Sequence, residues 1–167
     1  MTITISEMKD MHATLKNHGL ANLGSWTKGN YATVAHLREF CLSGITYNLP
    51  DAWLKKRNIV YAFMFGGLVR YIGETTAGMA SRFIGYRYGN PLKTDTDNRV
   101  KIEITQALML GNAVEIWAGQ PVARMALPDG TELAIPASKP LEEHLIALLK
   151  PDLNVKVLSH GNSSISA

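Results

Sequence analysis

The sequence predicts an α+β domain built around an antiparallel hairpin, and three observations carry that expectation. Ile59-Val60-Tyr61-Ala62-Phe63-Met64-Phe65 is apolar at both parities, as a strand covered on both faces is. Gly66-Gly67 breaks the run and Leu68-Val69-Arg70-Tyr71-Ile72-Gly73 follows, which reads as a β-hairpin. On either side the apolar spacing changes to three and four, the period of amphipathic helices.

The elements follow in order. Met8, Met11 and Leu15 make one apolar stripe of a first helix that His18-Gly19 ends. Gly19 to Asn30 is rich in Gly, Asn, Ser and Thr and reads as loop. A second helix fits Tyr31 to Leu42, burying Val34, Ala35, Leu37 and Cys41, with Ser43-Gly44 closing it. After the hairpin, Thr75 or Thr76 caps a helix through Arg82 to about Tyr86. Arg87 to Asp97 reads as loop, and Val100, Ile104, Ala107 and Leu108 mark a helix over Asn98–Leu110 that Gly111-Asn112 stops. Ala113-Val114-Glu115-Ile116-Trp117 is a third strand. Pro121 to Ile135 forms an extra hairpin turning at Pro128-Asp129-Gly130. Ser138 caps a last helix, Lys139 to Leu149, which Pro151 stops.

With 167 residues the chain has enough length for one domain with an appendage and a full core. A mean hydropathy near zero excludes a disordered chain, and no apolar run is long enough to span a bilayer. The start shows no secretory pattern, and a lone Cys41 cannot form an internal disulfide; both lead to the expectation of a cytoplasmic protein. The histidines show no HExxH pairing, and one cysteine cannot build a structural zinc site. Net charge is only +3, but it is unevenly spread. Residues 1–57 carry seven Lys/Arg against four Asp/Glu and residues 58–101 six against three, whereas residues 102–167 carry four against seven. A local positive face on a near-neutral chain suits phosphate contacts.

Val60-Tyr61-Ala62, then Tyr71-Ile72-Gly73, then Arg82, then Glu142 followed by Pro151 and Asn154, resemble the GIY-YIG nuclease family. The second half of the family's name is matched letter for letter at 71–73, whereas the first half keeps only its tyrosine. The segment Leu141 to Ile146 with Pro151 and Asn154 looks like the family's closing helix. The resemblance covers about residues 59–155. It implies a core of a three-stranded antiparallel sheet flanked by helices. To this the chain adds an N-terminal helical arm over 1–57, a catalytic domain over 58–158 with an insertion at 119–137, and a flexible tail at 159–167.

The resemblance also implies a phosphodiesterase site made of Tyr61, Tyr71, Arg82, Tyr86 and Glu142, with Asn154 in support. Glu142 would hold Mg²⁺ (or Mn²⁺ as a substitute); Glu143 is the rival ligand. One carboxylate suffices for Mg²⁺ when water and substrate phosphate fill its other positions. Arg82 would meet charge on the phosphate, and Tyr61 is the favoured general base, with Tyr71 positioning water or phosphate. A free phenol has a pKa of about 10, so base work needs a nearby cation to lower it; Arg82, Arg70 or the metal could serve. Arg82 and Tyr86, four apart, share a helix face.

Hairpin register decides whether the two strand tyrosines share a face. A two-residue Gly66-Gly67 turn would set them on opposite faces unless a bulge intervened. A three-residue loop, Phe65-Gly66-Gly67, pairs Met64 with Leu68 and sets Tyr61 opposite Tyr71. The expectation is the three-residue loop.

A self-contained chain of this size looks most like the family's small Type II restriction endonucleases. The expectation is therefore a Mg²⁺-dependent endonuclease acting on double-stranded DNA, a homodimer, with no membrane and no small-molecule cofactor. Lys28, Arg38, Lys55, Lys56, Arg57 and Arg70 are the candidate phosphate contacts. Asn22, Asn30, Asn48 and Asn98 are candidate base readers. Two alternatives stay open: a homing or phage-encoded nuclease, and a non-catalytic DNA-binding protein on a degenerate GIY-YIG fold.

Overall fold

A computed structural model describes residues 5–29, 44–88 and 96–154. The helix expected over 31–42, with Arg38 and Cys41, and the tail 159–167 lie outside the described residues, as does Asn30.

The chain runs α1 (Ile5–Asn17), β1 (Ala21–Lys28), β2 (Ile45–Asn48), α2 (Asp51–Leu54), β3 (Ile59–Phe65), β4 (Leu68–Thr75) and α3 (Met79–Tyr88). It continues α4 (Thr96–Met109), β5 (Val114–Gly119), β6 (Val122–Ala126), β7 (Glu132–Pro136) and α5 (Ser138–Leu149), then a 3-10 turn at Asp152–Asn154. The main sheet is antiparallel with strand order β2-β1-β5-β3-β4. It therefore has five strands where three were expected, and residues 1–57 are not a purely helical arm. Polar, glycine-containing Ala21–Lys28 becomes a strand because β2 and β5 bond it from both sides. Its Trp26 is buried edge-on against Tyr47 and Phe63. Tertiary pairing here overrides a weak local propensity.

Every residue of β3 is buried, because both faces of the sheet are covered. Tyr61, Phe63, Phe65, Tyr71, Val114, Ile116 and Ala118 face one layer, where Phe83 and Tyr86 of α3 and Val100 and Ile104 of α4 close the core. Val60, Ala62, Met64, Val69, Ile72 and Trp117 face the other, under Leu15 of α1 and Leu145 of α5.

The hairpin corrects the expected register. Phe65 pairs with Leu68 around a two-residue turn, and Gly66 and Gly67 take positive φ of 55° and 89°, as the tight hairpin turn requires. The register then shifts between Phe63 and Met64, with Arg70 the extra residue on β4, so that Phe63 faces Tyr71 and Tyr61 faces Gly73. The bulge restores the parity that the short turn would have broken. Tyr61 and Tyr71 share a face, although they are not directly opposed.

Two helix starts also differ from expectation. Thr75 ends β4 and donates to the Ala77 carbonyl at 3.2 Å, so α3 begins only at Met79. Ser138 is inside α5 rather than its cap, and its hydroxyl donates to Glu74 at 3.3 Å. The 119–137 insertion is a separate two-stranded sheet, exposed along both strands. Its register puts Ala123, Met125, Leu133 and Ile135 on one face and the Arg124–Glu132 ion pair on the other. Among the described residues no helix is long and apolar enough to cross a membrane.

Candidate active site

The site is built on β4, the edge strand, and on the neighbouring β3. Tyr61 points into the α3–α4 layer and its phenol lies across Gly73, its cross-strand partner. A Cβ at position 73 would come within 2.6 Å of the Tyr61 ring end and hydroxyl, so the glycine is what lets the phenol lie there. Tyr71 projects from the same face two residues earlier on β4. Arg82 and Tyr86, one helical turn apart on α3, reach down onto both phenols.

These four side chains form one hydrogen-bonded chain. Arg82 Nε donates to the Tyr61 hydroxyl at 3.0 Å. The Tyr61 and Tyr86 hydroxyls are 2.7 Å apart, and Tyr86 donates to Tyr71 at 3.1 Å. A phenol has one proton, so with Tyr86 donating to Tyr71, the Tyr61 proton must go to Tyr86. The direction is thus fixed from Arg82 outward to Tyr71. Among the described residues the Tyr71 proton is left without an acceptor, and Tyr71 is the one phenol of the three with any exposure, 5%. The Arg82 guanidinium also lies 4.6 Å from the centre of the Tyr86 ring.

Asp97, in the first turn of α4, takes the far end of Arg82, accepting from Nη1 at 2.6 Å and Nη2 at 2.7 Å. Gly85 makes room for it, since a Cβ there would sit 2.7 Å from the Asp97 carboxylate. Both side chains keep about a quarter of their surface, at 27% and 25%. Burial opposes the charge on Arg82, but the bonds from Asp97 and attraction to the phenols more than restore it, so its pKa lies above the ordinary value.

Burial pushes the Tyr61 phenol up, well above the tyrosine range, and the neighbouring Tyr71 adds to this; Arg82 offsets only part. Tyr86 is raised for the same reason, burial first and Tyr61 second. The lowering that a phenolate base needs is therefore not supplied by Arg82, whose charge Asp97 already meets. Nor is it supplied by Arg70, which binds Glu103 at 2.7 Å and Asp152 at 2.7 Å and so joins β4 to α4 and the closing turn.

Glu142 lies on the other side of the sheet, one turn before Leu145 on the face of α5 that packs over Val60, Ala62 and Ile72. Its side chain is 12% exposed and accepts from Lys139 at 2.6 Å; Glu143 is 66% exposed and points outward. That bond with Glu142, reinforced by the charges of Glu143 and Glu74, raises the Lys139 pKa. Among the described residues no hydrogen bond or ion pair joins Glu142 to the tyrosines, and none forms a group of three or more carboxylates, histidines and cysteines able to hold a metal. Glu142 does suit Mg²⁺, which needs only one or two protein carboxylates. The ammonium now meeting its charge sits on an exposed lysine that can swing away. Asn154 clamps the outer edge of β4, accepting from the Ile72 N–H at 2.8 Å and donating to the Ile72 carbonyl at 2.7 Å.

Of the candidate DNA contacts, Lys28 and Lys55 are exposed, while Lys56 is half-buried over the Trp53 ring at 3.9 Å. Arg57 is exposed and donates to the Thr76 carbonyl at 3.1 Å, which sets the basic run beside the entry to α3. Asn98 is buried, and Asn22 is bonded to Glu115 at 2.8 Å. Asp97 and Glu74 are absent from the sequence expectation. Asp97 lies in a stretch read as polar loop, so its pairing with Arg82 left no spacing to find. Glu74, directly after the YIG tripeptide, could have been found by strand parity.

No protein-family description matches the chain, and no curated protein matches it by sequence. Among solved structures, a glutamate-to-alanine mutant of bacteriophage T4 EndoII has the same α+β fold. The TM-score is 0.58 at 21% identity, over 89% of this chain and 98% of that one. The restriction endonuclease HPY188I in complex with product DNA aligns over 98% of this chain and 94% of that one, with a TM-score of 0.45 and 16% identity.

Proposed function

We propose that this protein is a Mg²⁺-dependent GIY-YIG endonuclease that hydrolyses phosphodiester bonds of double-stranded DNA. The observation that carries the proposal is the chain from Arg82 through Tyr61 and Tyr86 to Tyr71, seated against the glycine of Tyr71-Ile72-Gly73. The fold shared with T4 EndoII, an endonuclease by name, supports it. Catalysis falls at the β4 edge, with Tyr71, the least enclosed of the three phenols, on one face of the strand and the Glu142 carboxylate on the other.

Tyr71 is the phenol placed to exchange a proton with water or phosphate; Tyr61 acts through it by way of Tyr86. Arg82 fixes the direction of the chain and adds positive charge behind the phosphate. Glu142 would hold Mg²⁺, which when bound polarises the phosphate and stabilises the leaving oxygen. Asn154 keeps β4 in register beneath both groups. Lys28, Lys55, Lys56 and Arg57 supply phosphate contacts from the N-terminal part, and the exposed apolar face of β6–β7 suits a homodimer. Site-specific, Type II cutting is the form of the activity we favour, on the resemblance to the small restriction endonucleases of that family.

Plasmid DNA incubated with the protein and Mg²⁺ tests this. Discrete fragments mean restriction, and a smear means nonspecific cleavage. Glu142→Gln should slow cleavage by roughly 10²–10³-fold or more while leaving DNA binding in place. No cleavage by wild type, with tight DNA binding unchanged by Glu142→Gln, would instead favour the binding-protein reading.

A further inference from the structure

The surface between α1 and α5 holds a histidine pair that the proposed chemistry does not use. His18, just past the end of α1, and His144, on the outer side of α5, bring their Nε2 atoms to 3.2 Å although 126 residues separate them. His18 is half-buried and His144 exposed, so the pair opens to solvent.

The tautomer of His18 follows from its other nitrogen. Nδ1 lies 2.8 Å from the Thr14 carbonyl, which can only accept, so Nδ1 carries the proton. Nε2 then presents a lone pair toward His144. A hydrogen bond from the other ring nitrogen to a carbonyl is the support that metal-ligating histidines ordinarily have, because it fixes both tautomer and orientation. The Nε2 separation matches the bite of one ion: two nitrogens at about 2.0–2.1 Å from a tetrahedral centre stand about 3.3 Å apart. The ring centres are 5.2 Å apart and the planes tilted by 42°. That is closer than a collinear head-on pair would allow at this Nε2 distance, and it is consistent with two rings aimed at a common third point.

We propose that His18 and His144 bind one divalent transition-metal ion of the borderline class, such as Zn²⁺ or Ni²⁺, and so clamp α1 to α5. Imidazole nitrogens suit these ions and do not suit Mg²⁺, which takes oxygen ligands, so this site is separate from Glu142. Water fills the remaining positions. The clamp ties the N-terminal helix to the helix that carries Glu142, closing the layer formed by Leu15, Leu20 and Leu145.

Calorimetric titration of the untagged full chain with Zn²⁺ and Ni²⁺, together with melting curves in excess metal and in chelator, tests this without reference to nuclease activity. Wild type should take up one ion per chain, unaffected by millimolar Mg²⁺. Its melting temperature should rise by about 5 °C in excess metal. His18→Ala and His144→Ala should each weaken binding by about tenfold or more and abolish the rise, with unchanged melting in chelator. His12→Ala should leave both intact. Wild-type affinity retained in both pair variants, or no binding by wild type, would overturn the proposal and leave the pair as a simple imidazole hydrogen bond.

Discussion

The two sides of β4 are built on opposite principles. On one, the hydroxyls of Tyr61 and Tyr86 are fully enclosed, every proton in the chain up to Tyr71 has an acceptor, and Arg82 is held at both ends. On the other, the Glu142 carboxylate is met by a single, largely exposed lysine, with Glu74 and Glu143 in the same field. On the dry side only Tyr71, at the end of the chain, is left free to exchange a partner; the wet side can trade an ammonium for another cation. In the proposed phosphodiester hydrolysis, pre-organised geometry and a replaceable counter-ion would be separate requirements, and this edge strand would keep them apart.

The largest effect is expected at Arg82. Arg82→Ala removes the donor to Tyr61 and strands the Asp97 carboxylate, which retains a quarter of its exposure and so is not wholly uncompensated. The expected cost is about 2–3 kcal/mol of stability, with cleavage reduced by roughly 10²–10³-fold. Urea unfolding and a plasmid assay measure the two. A fall in cleavage with stability unchanged would mean that the dry side is not the rigid framework described.

Much of the site was legible before the fold was. Tyr61, Tyr71, Arg82 and Tyr86 were legible through the resemblance of their motifs to a known family, and the four-residue spacing that puts Arg82 and Tyr86 on one helix face is a local rule that holds. The register was not, because a bulge at Arg70 depends on what that side chain can reach, and its partners Glu103 and Asp152 lie 33 and 82 residues away. β1 was missed for a related reason. Ala-Asn-Leu-Gly-Ser-Trp-Thr-Lys has the composition of a loop and becomes a strand only between β2 and β5. Asp97 belongs to the same class, a partner chosen by packing rather than by spacing.

The two strand tyrosines should differ less, because one hydrogen bond and a little exposure separate them. Tyr61→Phe leaves the part-buried Arg82 Nε without its acceptor and the enclosed Tyr86 hydroxyl without its donor. It should cost about 1–3 kcal/mol. Tyr71→Phe removes only the acceptor for Tyr86 at the partly open end, and should cost about 1 kcal/mol. Activity should rank the other way per unit of stability lost, if Tyr71 is the phenol that exchanges a proton with substrate, as proposed. Denaturant midpoints set beside single-turnover rates check the ranking. A Tyr71→Phe enzyme of full activity would return the base role to Tyr61.

The smallest effect is absent at neutral pH and emerges only in alkali. Burial holds the folded-state pKa of Tyr61 and Tyr86 above the value of about 10 that they take in an unfolded chain. Below about pH 10 both states keep these protons, and the phenols give stability no slope. Above it the unfolded chain releases them while the folded chain does not, so rising pH favours unfolding. Each phenol then removes up to about 1.4 kcal/mol per pH unit. Lysines also titrate in that range, so the informative quantity is the difference between wild type and Tyr86→Phe in urea unfolding between pH 9 and 11. The variant should lose stability less steeply. If phenolate absorbance instead grew near neutral pH in the folded protein, at least one of the enclosed phenols would be charged, and the base role would pass to it from Tyr71.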